Sequence, residues 1–135
     1  MTYLTRERVR STFVEDFRSF MQATVPAERL TFDWHDERHD PEGKYVVDCR
    51  VEARVPVLAY ALPNDDKVRV STIGLLQFER WALKFSPMGV FENQETINRR
   101  VLARFSDACE KQFSSLAANK ERIALYLESA LRMDA

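Results

Sequence analysis

The sequence predicts an α/β fold with a mixed sheet, built as one domain of 135 residues. Residues 47–55 alternate between apolar and polar side chains, which is the period of a half-buried strand. Residues 57–62 are apolar throughout, as expected of a strand covered on both faces at the centre of a sheet. Apolar side chains at helical spacing precede and follow these strands, so we expect helices to pack on the sheet.

The N-terminal segment, residues 1–25, predicts a helix that is followed by a first strand. The evidence for the helix is a stripe of apolar side chains at helical spacing: Val9, Phe13, Phe17, Phe20 and Met21. Pro26 ends this helix, because the residue before a proline is pushed away from helical angles. Residues 30–34 then alternate apolar and polar, which predicts a strand ahead of the charged loop 35–44.

A second helix, after Pro63, is expected to be largely covered by the sheet and a neighbouring element. Its apolar side chains lie almost all round the helix: Val68, Ile73, Leu75, Leu76, Phe78, Trp81 and Leu83. Residues 88–91 predict a fourth strand, parallel to the third because a helix connects the two. Residues 29–93 thus form the sheet and its crossover helix. Residues 94–135 form C-terminal helices with a break near 114–119.

Composition and charge argue against several classes of protein. The net charge of −1 lacks the basic excess that is usual in dedicated nucleic-acid binders. No stretch approaches the roughly 18 apolar residues of a membrane span, and the first residues do not resemble a signal peptide, so we expect a cytoplasmic protein without a membrane partner. Cys49 and Cys109 lie among core residues and are expected to be buried thiols rather than a disulfide.

The order helix, three strands, helix, strand resembles the αβββαβ core of the PD-(D/E)XK nuclease-like superfamily, over roughly residues 5–95. The resemblance implies an acidic residue on the second strand and an E-x-K motif on the third, which hold magnesium and polarise an attacking water. Here the third strand, VPVLAYAL, contains neither Glu nor Lys. Asp48 stands at the first position, and Glu42 and Lys44 spell E-x-K before the second strand. If the strand count shifts by one, the implied catalytic set is Asp33, Glu42, Lys44 and Asp48, with magnesium.

The segments PVLAYALPNDDKVRVSTIGLLQFERW and VFENQETINRRVLARFSDACEKQF carry a second resemblance. They look like the C-terminal part of a family of uncharacterised bacterial and mobile-element proteins. The matching features are an apolar strand that runs into Asn64, Asp65 and Lys67, and the run Phe91, Glu92, Gln94 and Glu95 after the next strand. This resemblance implies a bacterial or phage origin and transfers no activity.

Polar residues suggest two candidate binding sites. His35, Asp36, His39 and Asp40 in the charged loop are of the types that bind divalent metals, although such loops are usually solvated and mobile, and we do not favour a metal there. The second place is the carboxyl edge of the parallel strands, where α/β sheets bind ligands. The residues there are Asn64, Asp65, Asp66, Glu92 and Asn93, which are also ordinary helix-capping residues.

Two surfaces of the C-terminal helices are candidates for partners. Arg99, Arg100 and Arg104 could line a helix face, but acidic residues interleave with them, so we do not favour nucleic-acid binding. An apolar stripe near the end of the chain exceeds what one small sheet is expected to cover: Tyr126, Leu127, Ala130, Leu131 and Met133. We therefore expect a homodimer or a protein partner to bind through the C-terminal helices.

The absence of a complete catalytic set on the strands favours a non-catalytic module that binds another macromolecule, with no cofactor. Such a module could be a degenerate nuclease-like fold of bacterial or phage origin. The alternatives are a magnesium-dependent nuclease and an α/β domain that binds a small ligand or a metal. The sequence leaves open whether the protein is an enzyme.

Overall fold

A five-stranded mixed sheet forms the middle layer of the molecule, and the strands lie side by side in chain order. The computed structural model describes the backbone of residues 2–132 and the side chains of residues 12–132. The strands are β1 (Leu30–Trp34), β2 (Val47–Val51), β3 (Val57–Leu62), β4 (Ser86–Phe91) and β5 (Lys111–Phe113). β1, β2 and β3 are antiparallel, whereas β3, β4 and β5 are parallel.

Four helices cover the two faces of this sheet. They are α1 (Thr2–Thr24), α2 (Asp65–Arg80), α3 (Arg99–Ala108) and α4 (Leu116–Arg132). The side chains of α1 and α4 pack in one core layer and those of α2 and α3 in the other. The expected α/β class and its order of helix, three strands, helix, strand and C-terminal helices are confirmed. No helix in the part of the chain that the structure describes is long and apolar enough to cross a bilayer.

β3 is the strand around which both core layers form. All six of its residues are buried, as expected from their apolar character. Successive side chains point to opposite faces of a sheet, so Val57, Ala59 and Ala61 pack under α1 and α4. Leu58, Tyr60 and Leu62 pack under α2 and α3. Burying one large apolar side chain contributes about 1.5–3 kcal/mol, which makes this strand a main source of stability.

β2 departs from the simple alternation that the sequence predicts. Cys49 and Val51 pack in the layer of α1 and α4, but Val47 packs in the layer of α2 and α3. The paired residues of β1 make the same switch, since Phe32 and Trp34 also lie in different layers. Between them Asp33 has a φ of 51°, a left-handed conformation that breaks the alternation of side chains. The strand also ends at Val51, earlier than the alternating pattern.

The C-terminal region contains a strand that the sequence did not predict. Residues 111–113 form β5, parallel to β4, where the apolar spacing suggested a continuing helix. The predicted break follows it: α4 begins at Leu116 and is kinked at Asn119, where φ is −126° and ψ is 17°. The Asn119 side chain donates to the backbone carbonyl of Ser115, so it caps the kink.

The apolar stripe of α4 mostly belongs to the core of the chain. Leu127 is fully buried, and Tyr126, Ala130 and Leu131 pack against the layer formed with α1. Met133 lies outside the described residues. Tyr126, Ala130 and Leu131 are only partly buried, so the stripe is neither fully covered nor fully exposed. A homodimer or a protein partner at the C-terminal helices remains a prediction.

The two cysteines are free and buried, as expected from their position among core residues. Burial raises the pKa of Cys49 to about 12, an effect that the neighbouring Asp48 carboxylate reinforces. Burial likewise raises the pKa of Cys109 to about 12. Both groups are therefore neutral thiols at physiological pH, and the thiolate is the reactive form.

We expect a water-soluble disulfide reagent at neutral pH to modify neither thiol in the folded protein. The reason is that each sulfur is both shielded from solvent and protonated. The measurement is the release of chromophore before and after unfolding in urea, and unfolding should expose both thiols. Rapid labelling of either cysteine under native conditions would contradict the burial described here.

Candidate functional site

An ion pair between Asp48 of β2 and Lys67 of α2 occupies the carboxyl end of β3. The Lys67 ammonium donates to both carboxylate oxygens of Asp48, at 2.7 Å and 2.6 Å. The Asp48 side chain is 23% exposed and the Lys67 side chain 29%, so the pair is only partly shielded from solvent. Asn64 places the lysine, because its side-chain oxygen accepts from the backbone N–H of Lys67 and caps α2.

This ion pair also satisfies the backbone of Ala61. The ladder between β2 and β3 stops at Cys49 opposite Ala59, so Ala61 finds no backbone partner on β2. Its N–H donates to the Asp48 carboxylate at 2.9 Å, and its carbonyl accepts from Lys67 at 3.2 Å. Two side chains thus replace one rung of the sheet.

We expect Asp48→Ala to lower the free energy of unfolding by about 1–3 kcal/mol, because it leaves the Ala61 N–H without its acceptor. Arg69→Ala is the matched control, since Arg69 pairs with Asp66 on the exposed side of the same helix at 2.9 Å. An exposed pair of this kind contributes little, so the control should cost less than about 0.5 kcal/mol. Denaturant unfolding of the two variants measures both effects, and equal losses would show that Asp48 has no special role.

The other residues of the nuclease hypothesis, Asp33, Glu42 and Lys44, contact partners different from those of Asp48. The Asp33 carboxylate is largely exposed and accepts a hydrogen bond from Arg18. Glu42 and Lys44 are exposed in the loop before β2 and lie 4.0 Å from each other. Across the described residues, no group of three or more His, Cys, Asp or Glu side chains is arranged to hold a metal ion. The carboxylate and the lysine that do meet at the strand end are Asp48 and Lys67.

Three of the residues predicted at the carboxyl edge of the sheet, Asn64, Asp65 and Asp66, line an open cleft of about 420 Å³, whereas Glu92 and Asn93 do not line it. Its lining residues are Pro63, Asn64, Asp65, Asp66, Arg69 and Thr96. The loop after β3 contacts the start of α3, since the Asp65 carboxylate accepts from the backbone N–H of Asn98. Glu92 lies at the end of β4, where its N–H donates to Leu62. The Asn93 side chain accepts from the N–H of Glu95, so it acts as a cap.

The charged loop is held together by the buried side chain of Asp40. Its two carboxylate oxygens accept from the backbone N–H groups of Lys44 and Tyr45, both at 2.8 Å. His35 bonds the backbone carbonyl of Asp40, whereas His39 bonds the Asp36 carboxylate. The two imidazoles thus have different partners, and the hydrogen bonds of Asp36 and Asp40 link residues within the loop.

Two opposing effects determine the pKa of Asp40. Burial raises the pKa of this carboxyl, but hydrogen bonds from the backbone of Lys44, Tyr45 and Gly43, together with the charge of His35, outweigh burial. The pKa in the folded protein is therefore below the ordinary value of 3.8. A lowered pKa means that the carboxylate stabilises the fold above the ordinary pKa, and this contribution is lost as pH falls through the lower value.

We expect Asp40→Asn to lower the free energy of unfolding by about 1–3 kcal/mol at neutral pH, because its amide group would face one of the two backbone donors. The variant should also lose less stability than the parent chain when the pH falls below about 4. Urea unfolding at a series of pH values measures both quantities. If the two proteins lose the same amount of stability in acid, the pKa of Asp40 is not lowered in the folded protein.

The three arginines of the basic hypothesis lie on the exposed side of α3. Arg99, Arg100 and Arg104 are all exposed, and Arg100 and Arg104 are one helical turn apart. Asp107 follows Arg104 at a spacing that brings side chains together on a helix. The surface is therefore mixed in charge, and nucleic-acid binding remains an alternative that we do not favour.

An apolar stripe on α2 faces solvent, which contradicts the expectation that this helix is largely covered. Val70, Ile73 and Leu76 are 59%, 57% and 48% exposed. The opposite side of the helix, with Leu75 and Phe78, is fully buried. The signal was present in the sequence, because Val70, Ile73 and Leu76 follow one another three residues apart and lie on the other side of the helix from Leu75.

A shallow pocket of about 330 Å³ adjoins the C-terminal end of this stripe. Gln77 and Trp81 line it together with residues of the charged loop, including His39, Glu42 and Tyr45. The His39 ring stacks on Trp81 with 5.0 Å between ring centroids. We use the name α2 surface for the exposed residues on the side of α2 that carries Ile73, namely Asp66, Arg69, Val70, Ile73, Leu76 and Arg80, which leaves out the exposed Glu79. The pocket lined by His39, Tyr45 and Trp81, which we call the aromatic pocket, lies between the α2 surface and the loop before β2.

No family model, curated protein or solved structure matches this chain.

Proposed function

We propose that this protein is a non-catalytic interaction module that binds another protein through the α2 surface. The observation that carries the proposal is the row of three large apolar side chains, each about half exposed, along one side of a well-packed helix. Contiguous exposed apolar residues with a polar rim are typical of protein-binding sites. Asp66, Arg69 and Arg80 provide such a rim at the two ends of the stripe.

The strand-end site supports a binding function rather than catalysis. Both oxygens of Asp48 already accept hydrogen bonds, and the Lys67 ammonium is used by Asp48 and Ala61. A magnesium-dependent nuclease needs carboxylate oxygens that are free to hold the ion. We also propose that this module is a degenerate nuclease-like fold. Its proposed origin is bacterial or phage, and its proposed location is the cytoplasm.

A magnesium-dependent nuclease is the second candidate, because a carboxylate and a lysine do meet at the end of β3. In that case Asp48 would hold the ion and Lys67 would polarise the attacking water. The purified protein should be incubated with DNA and RNA in magnesium or manganese, beside Asp48→Asn. If the protein cleaves a nucleic acid and the variant does not, the protein is a nuclease and the proposal of a non-catalytic interaction module is wrong.

To test the interaction module, a photo-reactive amino acid can be placed at position 73 in cells of the source organism. Leu125 of α4 is the matched control position, since it is apolar and 60% exposed, compared with 57% for Ile73. We expect a covalent adduct with a protein at position 73 and none at position 125. The adduct should disappear when Val70 and Leu76 are both changed to Asp, because charged groups at a desolvated contact are costly. Equal labelling at the two positions would disprove the proposal.

A further inference from the structure

The α2 surface has an unusual internal pattern, because the residues at its two ends, Asp66 and Arg80, are opposite in charge and exchange positions when the helix is reversed about Ile73. The third charged residue, Arg69, falls opposite the neutral Gln77. Asp66 and Arg80 each lie seven residues from Ile73, on its N-terminal and C-terminal sides. Seven residues are close to two helical turns, so all three side chains project from the same face. The distance from Ile73 to either charge along the axis is about 10 Å.

A second helix of the same sequence in the antiparallel direction would match this pattern. If a two-fold axis passes beside Ile73, the two Ile73 side chains meet, and Val70 and Leu76 of both copies pack around them. At each end Asp66 of one copy then lies opposite Arg80 of the other. Antiparallel helices also bring opposite ends of their dipoles together, which is favourable.

We propose that the partner of the α2 surface is a second copy of this chain, bound as an antiparallel α2–α2 pair with two-fold symmetry. This inference rests on the proposed interaction function and names its partner. A parallel pair would set Asp66 against Asp66 and Arg80 against Arg80, so the charges select the antiparallel direction. Two-fold pairs in which the same surface is used by both copies are the commonest form of protein oligomer.

The size of the α2 surface sets the strength of this dimer. A stable interface buries about 800 Å² on each partner, which is more than three apolar side chains and their rim supply. The aromatic pocket around Trp81 follows Arg80 directly and enlarges the contact area. The pair is therefore a weak dimer that forms and separates with protein concentration.

A charge exchange tests both the partner and its direction. The single variants Asp66→Arg and Arg80→Asp each place like charges together at both ends of the pair, and we expect the dimer dissociation constant to rise roughly tenfold. The double variant restores opposite charges in the reversed order and should regain most of the lost affinity. Sedimentation velocity of the purified chain over a wide range of concentration measures the dissociation constant. The dimer should have twice the monomer mass of 15.8 kDa.

Two further variants separate the possible outcomes. Ile73→Asp brings two carboxylates together at the symmetry axis and should abolish the dimer, whereas Leu125→Asp should leave it unchanged. A chain that stays monomeric at every concentration overturns the self-association, and so does a double variant weaker than either single variant. If position 73 still forms an adduct with a different protein, the interaction function survives and only its partner is wrong. If no adduct of any kind forms there, both proposals fail.

Discussion

The backbone N–H and C=O of Ala61 impose the constraint on which the carboxyl edge of the sheet depends. Polar backbone groups of a buried strand need partners, and β2 stops pairing with β3 before it reaches Ala61. Asp48 and Lys67 supply the acceptor and the donor, so one ion pair closes the sheet where its strands separate. The pair also links β2 to α2, and α2 carries the exposed apolar surface on its other side.

The use of Asp48 and Lys67 by the backbone distinguishes the interaction module from the magnesium-dependent nuclease. An ion pair that is committed to the backbone has little capacity left for a metal ion and a water molecule. The outer side of α2, by contrast, has apolar side chains in contact with solvent, and these are free to pack against a partner. Exposing three such groups costs solvation free energy, and a chain gains by covering them. Binding through α2 is therefore the function that the distribution of polar and apolar groups supports best.

The sequence predicted the elements that depend on local patterns and failed where contacts between distant residues decide. β3 and β4 were predictable because continuous apolar runs between turn residues leave few alternatives. β5 was not, since its three residues form a strand only by pairing with β4. The ion pair joins Asp48 and Lys67, which are 19 positions apart, and no sequence motif predicts this contact. The exposure of Ile73 and Leu76 is a different case, because the spacing of three residues from Val70 places them on the side of α2 opposite the buried Leu75 and is visible in the sequence.

The order of the strands in the sheet bears on how the protein forms during synthesis. Each strand after β1 pairs with the strand that precedes it in the chain, so each finds a neighbour that has already been synthesised. Contacts between segments close in sequence form quickly, because short loops lose little entropy when they close. As the chain emerges from the ribosome, the sheet can grow by one strand at a time from β1 to β5. The contact between α1 and α4 joins the two ends of the described chain, so completion of that layer waits for the C-terminal helix.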